Sequence, residues 1–195
     1  MADITITFLG TGAGNCIHRA HTAIVVDCAD GTRLLLDSSS GNSVMRQGAA
    51  VGMLASQFDQ VLLTHHHGDH MGGIPFISGQ RRRVDSESAP LQVFSTEQAL
   101  DRLGKVCLAT QLNVPSVDQE GAYFADGSPF LRWTAVDNEQ WITLGPNTRA
   151  STFPADHIPG AVGWKIESHG VSVVFSGDTR FSPSVAEASQ GARLL

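Results

Sequence analysis

The stretch FDQVLLTHHHGDH, Phe58 to His70, constrains this chain most, because an apolar strand candidate runs without a break into four of its eight histidines. Successive side chains of an extended segment alternate between faces, so His65 and His67 project to one side and His66 to the other. Gly68 permits a sharp turn, after which Asp69 and His70 can swing toward the same cavity. Imidazole nitrogens and a carboxylate oxygen gathered so closely suit one or two divalent cations, zinc in particular. The competing reading is a histidine-rich loop or tag. A tag would sit at a terminus, and it would not follow an apolar strand with Gly and Asp set between its histidines.

The remaining segments are short and apolar-alternating, with turn residues at their ends, as strands require. ITITFLG, TAIVVD and RLLLD precede the histidine loop, and LQVFS follows it. FLRWTAVD, QWITLG, TRASTFPAD, AVGWKIES and VSVVFSGD fill the second half. Asp30-Gly31 marks a hairpin between TAIVVD and RLLLD. STEQALDRLGKVCLA has helical periodicity, with Ser95 and Gln98 in a capping-box pattern, and Ser182-Pro183 starts a second helix as N-cap and first helical residue. Many strands with helices at two or three points predict two packed sheets covered by helices, an α/β layered sandwich forming one domain over residues 1-195.

A net charge of -6 leaves no basic stripe to follow a nucleic-acid backbone. Arg81-Arg82-Arg83 is the one basic cluster, expected in a solvated loop, with an anion contact as the alternative. Cys16, Cys28 and Cys107, odd in number and without zinc-type pairing, are expected to be reduced. No secretion-type start and no apolar stretch of spanning length is present, so a cytoplasmic protein away from membranes is expected.

The pattern His65-x-His67-x-Asp69-His70 resembles the signature of the metallo-β-lactamase superfamily. That resemblance implies an αββα sandwich, and it assigns two further ligands. His157, in FPADHIPGAVGWKIES, takes the place of another histidine ligand, and Asp178, in VSVVFSGDT, that of a bridging carboxylate. The first site would then comprise His65, His67, His157 and Asp178, and the second Asp69, His70 and Asp178. Zn2+ is the expected cofactor, two ions per chain, with Mn2+ as the substitute. Hydrolysis by a zinc-bound hydroxide follows from such a centre, with Asp69 orienting the nucleophile as the catalytic carboxylate. His66 is expected to pack rather than ligate, and Ser38, Ser39 and Ser40 to form a turn.

Within the superfamily, FLGTGAGNCIHRAHTA, VGWKIES and VVFSGDTR resemble the ribonuclease Z branch. Gly10, Gly12 and Gly14 would form a tight turn near the active site; they lack the spacing and the lysine of a nucleotide P-loop. Two departures matter. The branch inserts a long tRNA-gripping arm between the third motif and the bridging Asp, whereas here the interval from Gly163 to Asp178 holds two strands and a turn, so tRNA is not the expected partner. The branch's final motif would lie beyond Leu195, so the sandwich is expected to lack its C-terminal strands, the second site to be weak or incomplete, and the exposed edge to favour a homo-oligomer. His18, His21 and His169 are left to ordinary surface positions. The expected substrate is a small ester, a phosphodiester first. An aryl sulfate, lactone or β-lactam, or a non-catalytic metal-binding remnant, stands as the alternative.

Overall fold

The computed structural model describes residues 3-84 and 88-195. Its larger sheet runs in the order β1 (Ile4–Gly10), β2 (Ala23–Cys28), β3 (Arg33–Leu36), β4 (Gln60–Leu62), β5 (Leu91–Ser95), β8 (Pro129–Ala135), β7 (Gly121–Tyr123) and β6 (Ser116–Val117). The smaller sheet runs β12 (Val171–Phe175), β11 (Val162–Ser168), β10 (Thr148–Pro154) and β9 (Trp141–Thr143). Helices α1 (Ser43–Ala50), α2 (Gly68–Met71), α3 (Ile74–Val84), α4 (Glu97–Thr110) and α5 (Pro183–Ala188), with a short 3-10 turn at Ala55–Gln57, complete the described elements.

Strand alternation builds the layers. In β3, Leu35 faces a core shared with Val44, Ile74, Ile77 and Leu103 of the helices. Its neighbours Leu34 and Leu36 face the opposite core, shared with Ala150, Trp164, Ile166 and Val173 of the second sheet. One face of the larger sheet thus packs on helices and the other on the smaller sheet, while α5 packs on β10. This is the expected αββα sandwich.

Strand direction then positions the site. β3, β4, β5 and β8 pair in parallel, so their carboxyl ends share one edge. β10 and β12 both pair antiparallel to β11 and therefore end together. The two sheets are tied at this edge: the Val162 N–H donates to the Thr64 carbonyl at 3.0 Å, and the Trp164 indole N–H to the Leu63 carbonyl at 3.2 Å. Trp164 is fully buried, so Trp164→Ala should cost about 3–5 kcal/mol of unfolding free energy. A urea titration checks this, with the partly exposed Trp141→Ala as a control expected to cost much less.

Several local expectations change. Ser95 does not cap α4; it pairs with Ala135 inside β5 and its hydroxyl donates to the Leu63 carbonyl at 2.9 Å, which leaves Thr96 as N-cap. Arg81 is not in a solvated loop. It lies on α3, buried, donating to the carbonyls of Ser56, Phe58 and Ala89 and paired with Asp59 at 3.0 Å. Neighbouring carbonyls accept from both terminal nitrogens of the guanidinium, which helps make a buried charge tolerable, while its Nε is left without a partner among the described residues. α5 begins at Ser182-Pro183 as the sequence predicts, and the three cysteines are free. At the other end of β12, the Arg193 N–H donates to the Ser172 carbonyl and the Val174 N–H to the Leu194 carbonyl, so residues 193 and 194 run beside that strand. Among the described residues, no helix is long and apolar enough to cross a membrane.

Candidate metal centre

The histidine loop leaves β4 through Leu63 and Thr64, and His67 is the N-cap position of α2, which carries Asp69 and His70. His65 and His70 are buried with ring centroids 4.1 Å apart, while His66 points elsewhere. His157 and Asp178 arrive on loops beyond β10 and β12. Two hydrogen bonds lace those loops together: the Asp156 N–H donates to Thr179 Oγ1 and the Arg180 N–H to the Asp156 carbonyl, each at 3.0 Å. Gly177, with φ +59, makes the turn that presents Asp178.

Two groups of ligand atoms result, each mutually within 4.8 Å: His65, His67 and His157, and His65, His70 and Asp178. His67 Nδ1 lies 3.0 Å from His65 Nε2 and 3.1 Å from His157 Nε2. His65 is common to both groups, and Asp178, a member of the second, also approaches the first, with Oδ1 3.5 Å from His70 Nε2 and Oδ2 3.9 Å from His157 Nε2. Asp69 lies beside them, its Oδ2 3.5 Å from His70 Nε2, and falls in neither group. Gly14 is packed against it: a Cβ at Gly14 would come within 2.9 Å of Asp69 Oδ2. The glycine loop therefore does border the site.

Sequence reasoning passed over Asp37, at the end of β3, which organises the centre from beneath. Fully buried, it accepts hydrogen bonds from the Thr64 N–H and hydroxyl, both at 2.8 Å, and from His70 Nδ1–H at 2.6 Å. Thr64 has one hydroxyl proton, and Asp37 takes it. The 3.0 Å contact between Thr64 Oγ1 and His65 Nδ1 must then be donated by the histidine. Both His65 and His70 are thereby held as tautomers protonated at Nδ1, with the Nε2 lone pair facing the site. No local signal marked it: RLLLD and VLLTH become neighbours only when β3 and β4 pair in parallel, and there Asp37 and Ser39 adopt φ of 53° and 58°, a conformation that bends the chain under the histidine loop. Ser38 closes the same bend by donating to the His70 carbonyl.

The donor set fits a cation. Three imidazole nitrogens converge, His67 Nδ1 lying 3.0 and 3.1 Å from the other two, and His65 presents its Nε2 lone pair to them, a nitrogen set of the kind that binds a divalent cation. Burial and then the neighbouring His70, His67 and His157 hold His65 down to about 2, so it stays neutral. Burial also opposes a charge on His70, but the Asp37 hydrogen bond and the charges of Asp37, Asp178 and Asp69 outweigh it and raise its pKa. A raised pKa keeps the proton on to higher pH, so protons compete with a cation at His70 in a range where His65 is already free. On acidification, protonation should therefore weaken cation binding through His70 before it weakens binding through His65. Metal analysis after dialysis across a pH series would show two steps; simultaneous loss would contradict this order.

Of the other histidines, His18 and His169 are exposed, and His21 shares a 2.8 Å hydrogen bond with Ser40 Oγ.

Comparison with known proteins agrees with this geometry. The family model described as anti-Pycsar protein Apyc1 matches residues 4–194. A ribonuclease Z of Mycobacterium marinum is 32% identical over 197 residues, covering 98% of this chain and 69% of that protein. Human short-form tRNase Z (ELAC1) superposes with a TM-score of 0.72 at 21% identity, covering 97% of this chain and 76% of that one. Zn(2+)-bound PqqB from Methylobacterium extorquens gives 0.70 at 17% identity, covering 97% and 71%. The chain is thus a ribonuclease Z-like, metal-binding hydrolase of the metallo-β-lactamase superfamily, and it belongs to the family described as anti-Pycsar protein Apyc1.

Proposed function

We propose that the chain hydrolyses small phosphodiesters with two zinc ions, one held by His65, His67, His157 and Asp178 and the other by Asp69, His70 and Asp178. The observation that carries this reading is the convergence of three imidazole nitrogens on one point faced by a carboxylate that also reaches His70. The relative named ribonuclease Z supports a phosphodiester over other esters. Cations so held supply Lewis acidity toward a phosphoryl oxygen and acidify a water toward neutral pH.

The chain's own groups do the positioning. Asp37 and Thr64 accept hydrogen bonds from the Nδ1–H groups of His70 and His65, so two buried imidazoles offer Nε2 lone pairs without reorganisation. Asp69, about one-fifth exposed beside Gly14, is placed to accept a hydrogen bond from the attacking water and to take up its proton. A small substrate is favoured over tRNA because β11 and β12 join through the turn at His169 and Gly170, leaving no arm between His157 and Asp178, and because the net charge is -6.

The test uses zinc- or manganese-loaded protein with bis(p-nitrophenyl) phosphate, p-nitrophenyl sulfate, a lactone and nitrocefin. Turnover of the phosphodiester above the others, lost to a chelator and restored by either metal, is the expected result. Preference for another ester, or no turnover with two cations bound, would overturn the reading.

A further inference from the structure

The hydroxyl of Thr96 is turned away from the task its position gives it. Thr96 is the N-cap of α4, extended at φ -69 and ψ 151, and its carbonyl accepts from the Leu100 N–H as a cap residue's does. A threonine there ordinarily turns its oxygen back to accept from an N–H of the first turn, where the helix leaves its own donors unpaired. No such bond forms in α4; the Thr96 hydroxyl donates instead, at 2.8 Å, to the Gly160 carbonyl. A helix of 14 residues thus goes without its side-chain cap, and the hydroxyl serves a loop between β10 and β11 of the other sheet.

That loop carries His157. The Ala155 N–H closes its base by donating to the Ala161 carbonyl at 3.1 Å, and the Ala161 N–H makes its turn by donating to the Ile158 carbonyl at 2.9 Å. Asp156 fastens one flank to the Asp178 loop, and Val162 fastens the end to Thr64. Between these points Gly160 is pressed onto the first turn of α4. At φ +78 it adopts a conformation that side chains resist, and a Cβ there would come within 2.7 Å of Gln98 Oε1 and 3.0 Å of Gln98 Cβ. His65 and His67 follow a strand of the larger sheet and His157 a strand of the smaller. The Thr96 bond crosses from one side to the other, so it helps to set the 3.1 Å separation of His67 Nδ1 and His157 Nε2.

We propose that Thr96 is a positioning residue of the metal centre: its hydroxyl holds the Gly160 carbonyl, and through the closed loop it holds His157 at the separation from His65 and His67 that a cation needs. The inference rests on the proposed two-zinc reading and adds to it a residue that touches neither cation nor substrate. An N-cap that leaves its helix uncapped costs stability, which is the kind of cost a functional site imposes on its scaffold.

The experiment measures zinc affinity by competition with a chromogenic chelator, beside the thermal midpoint of the metal-free protein, for the wild type, Thr96→Val, Thr96→Ser and Thr96→Asp. Valine keeps the shape and removes the donor, so zinc affinity should fall about tenfold, the lower end for loss of an orienting partner. Serine keeps the donor and should restore affinity to near the wild-type value. Aspartate separates the site from the helix. It caps better than threonine and suits the positive end of the helix, so the metal-free midpoint should rise. An ionised carboxylate cannot donate to the Gly160 carbonyl and repels it, so zinc affinity should nevertheless fall by about tenfold or more. Unchanged affinity in Thr96→Val and Thr96→Asp, or affinity that rises and falls with the metal-free midpoint across the series, would overturn the proposal. If the wild type binds zinc and turns over no ester, the phosphodiesterase reading fails separately, and the zinc affinities alone decide on Thr96.

Discussion

Asp178→Ala should reduce phosphodiester turnover by more than about 100-fold, beyond what loss of a residue that merely orients a ligand costs, while leaving the fold almost as stable as before. The reasoning is geometric. Asp178 is half exposed, and its contacts are with His70 and His157. Nothing in either core depends on it, so the change in stability should stay within about 0.5 kcal/mol. The same carboxylate approaches His70 of one nitrogen set and His157 of the other, so its loss should weaken the hold of the proposed centre on its cations. The measurement is kcat with bis(p-nitrophenyl) phosphate beside cation stoichiometry and the thermal midpoint. Activity within tenfold of wild type, with two cations retained, would remove Asp178 from the centre.

Asp37→Asn should do the opposite kind of damage, disabling the site from a residue that no cation touches. An ionised carboxylate only accepts, and here it accepts three hydrogen bonds. An asparagine offers one acceptor oxygen, and its amide hydrogens would confront either the Thr64 N–H or the Thr64 hydroxyl and His70 Nδ1–H. Relief in the second case requires His70 to shift its proton to Nε2, which removes the lone pair from the site. Metal affinity should fall about 10–100-fold, the usual consequence of losing such an orienting partner. Stability should fall by about 1–3 kcal/mol because a buried donor is left unsatisfied. Competition with a chromogenic chelator measures the first effect and urea denaturation the second. Thr64→Val separates the two histidines, since it removes the acceptor that holds His65 and leaves the Asp37–His70 bond in place. Unaltered affinity in Asp37→Asn would show that the tautomers are set by other means.

The contrast between Asp178 and Asp37 also explains what could be read from sequence. His65, His67, Asp69 and His70 crowd into a span short enough for strand alternation and one glycine to relate them. His157 and Asp178 lie far along the chain, and only likeness to a known pattern singled them out. Asp37 has no such neighbourhood: by itself it is a strand-terminal Asp, and its role appears only once β3 and β4 lie side by side. Arg81 failed for the same reason, since the carbonyls that accept from its terminal nitrogens belong to Ser56, Phe58 and Ala89, none of them on α3. The sheets were legible because period-two apolar alternation is a local property. The short helices α1 and α3 were not, because Gly48, Gly79 and Pro75 disturb their periodicity and packing restores it.

The contact between His67 and His157 joins residues ninety positions apart, on loops that follow strands of two different sheets. A cation coordinated by both closes that long loop and so acts as a removable clasp across the sandwich, its grip set by ion concentration instead of by covalent chemistry. The resistance of this molecule to unfolding is then partly a property of its medium, and a cell that withholds the metal loosens the architecture in the same act that silences the chemistry.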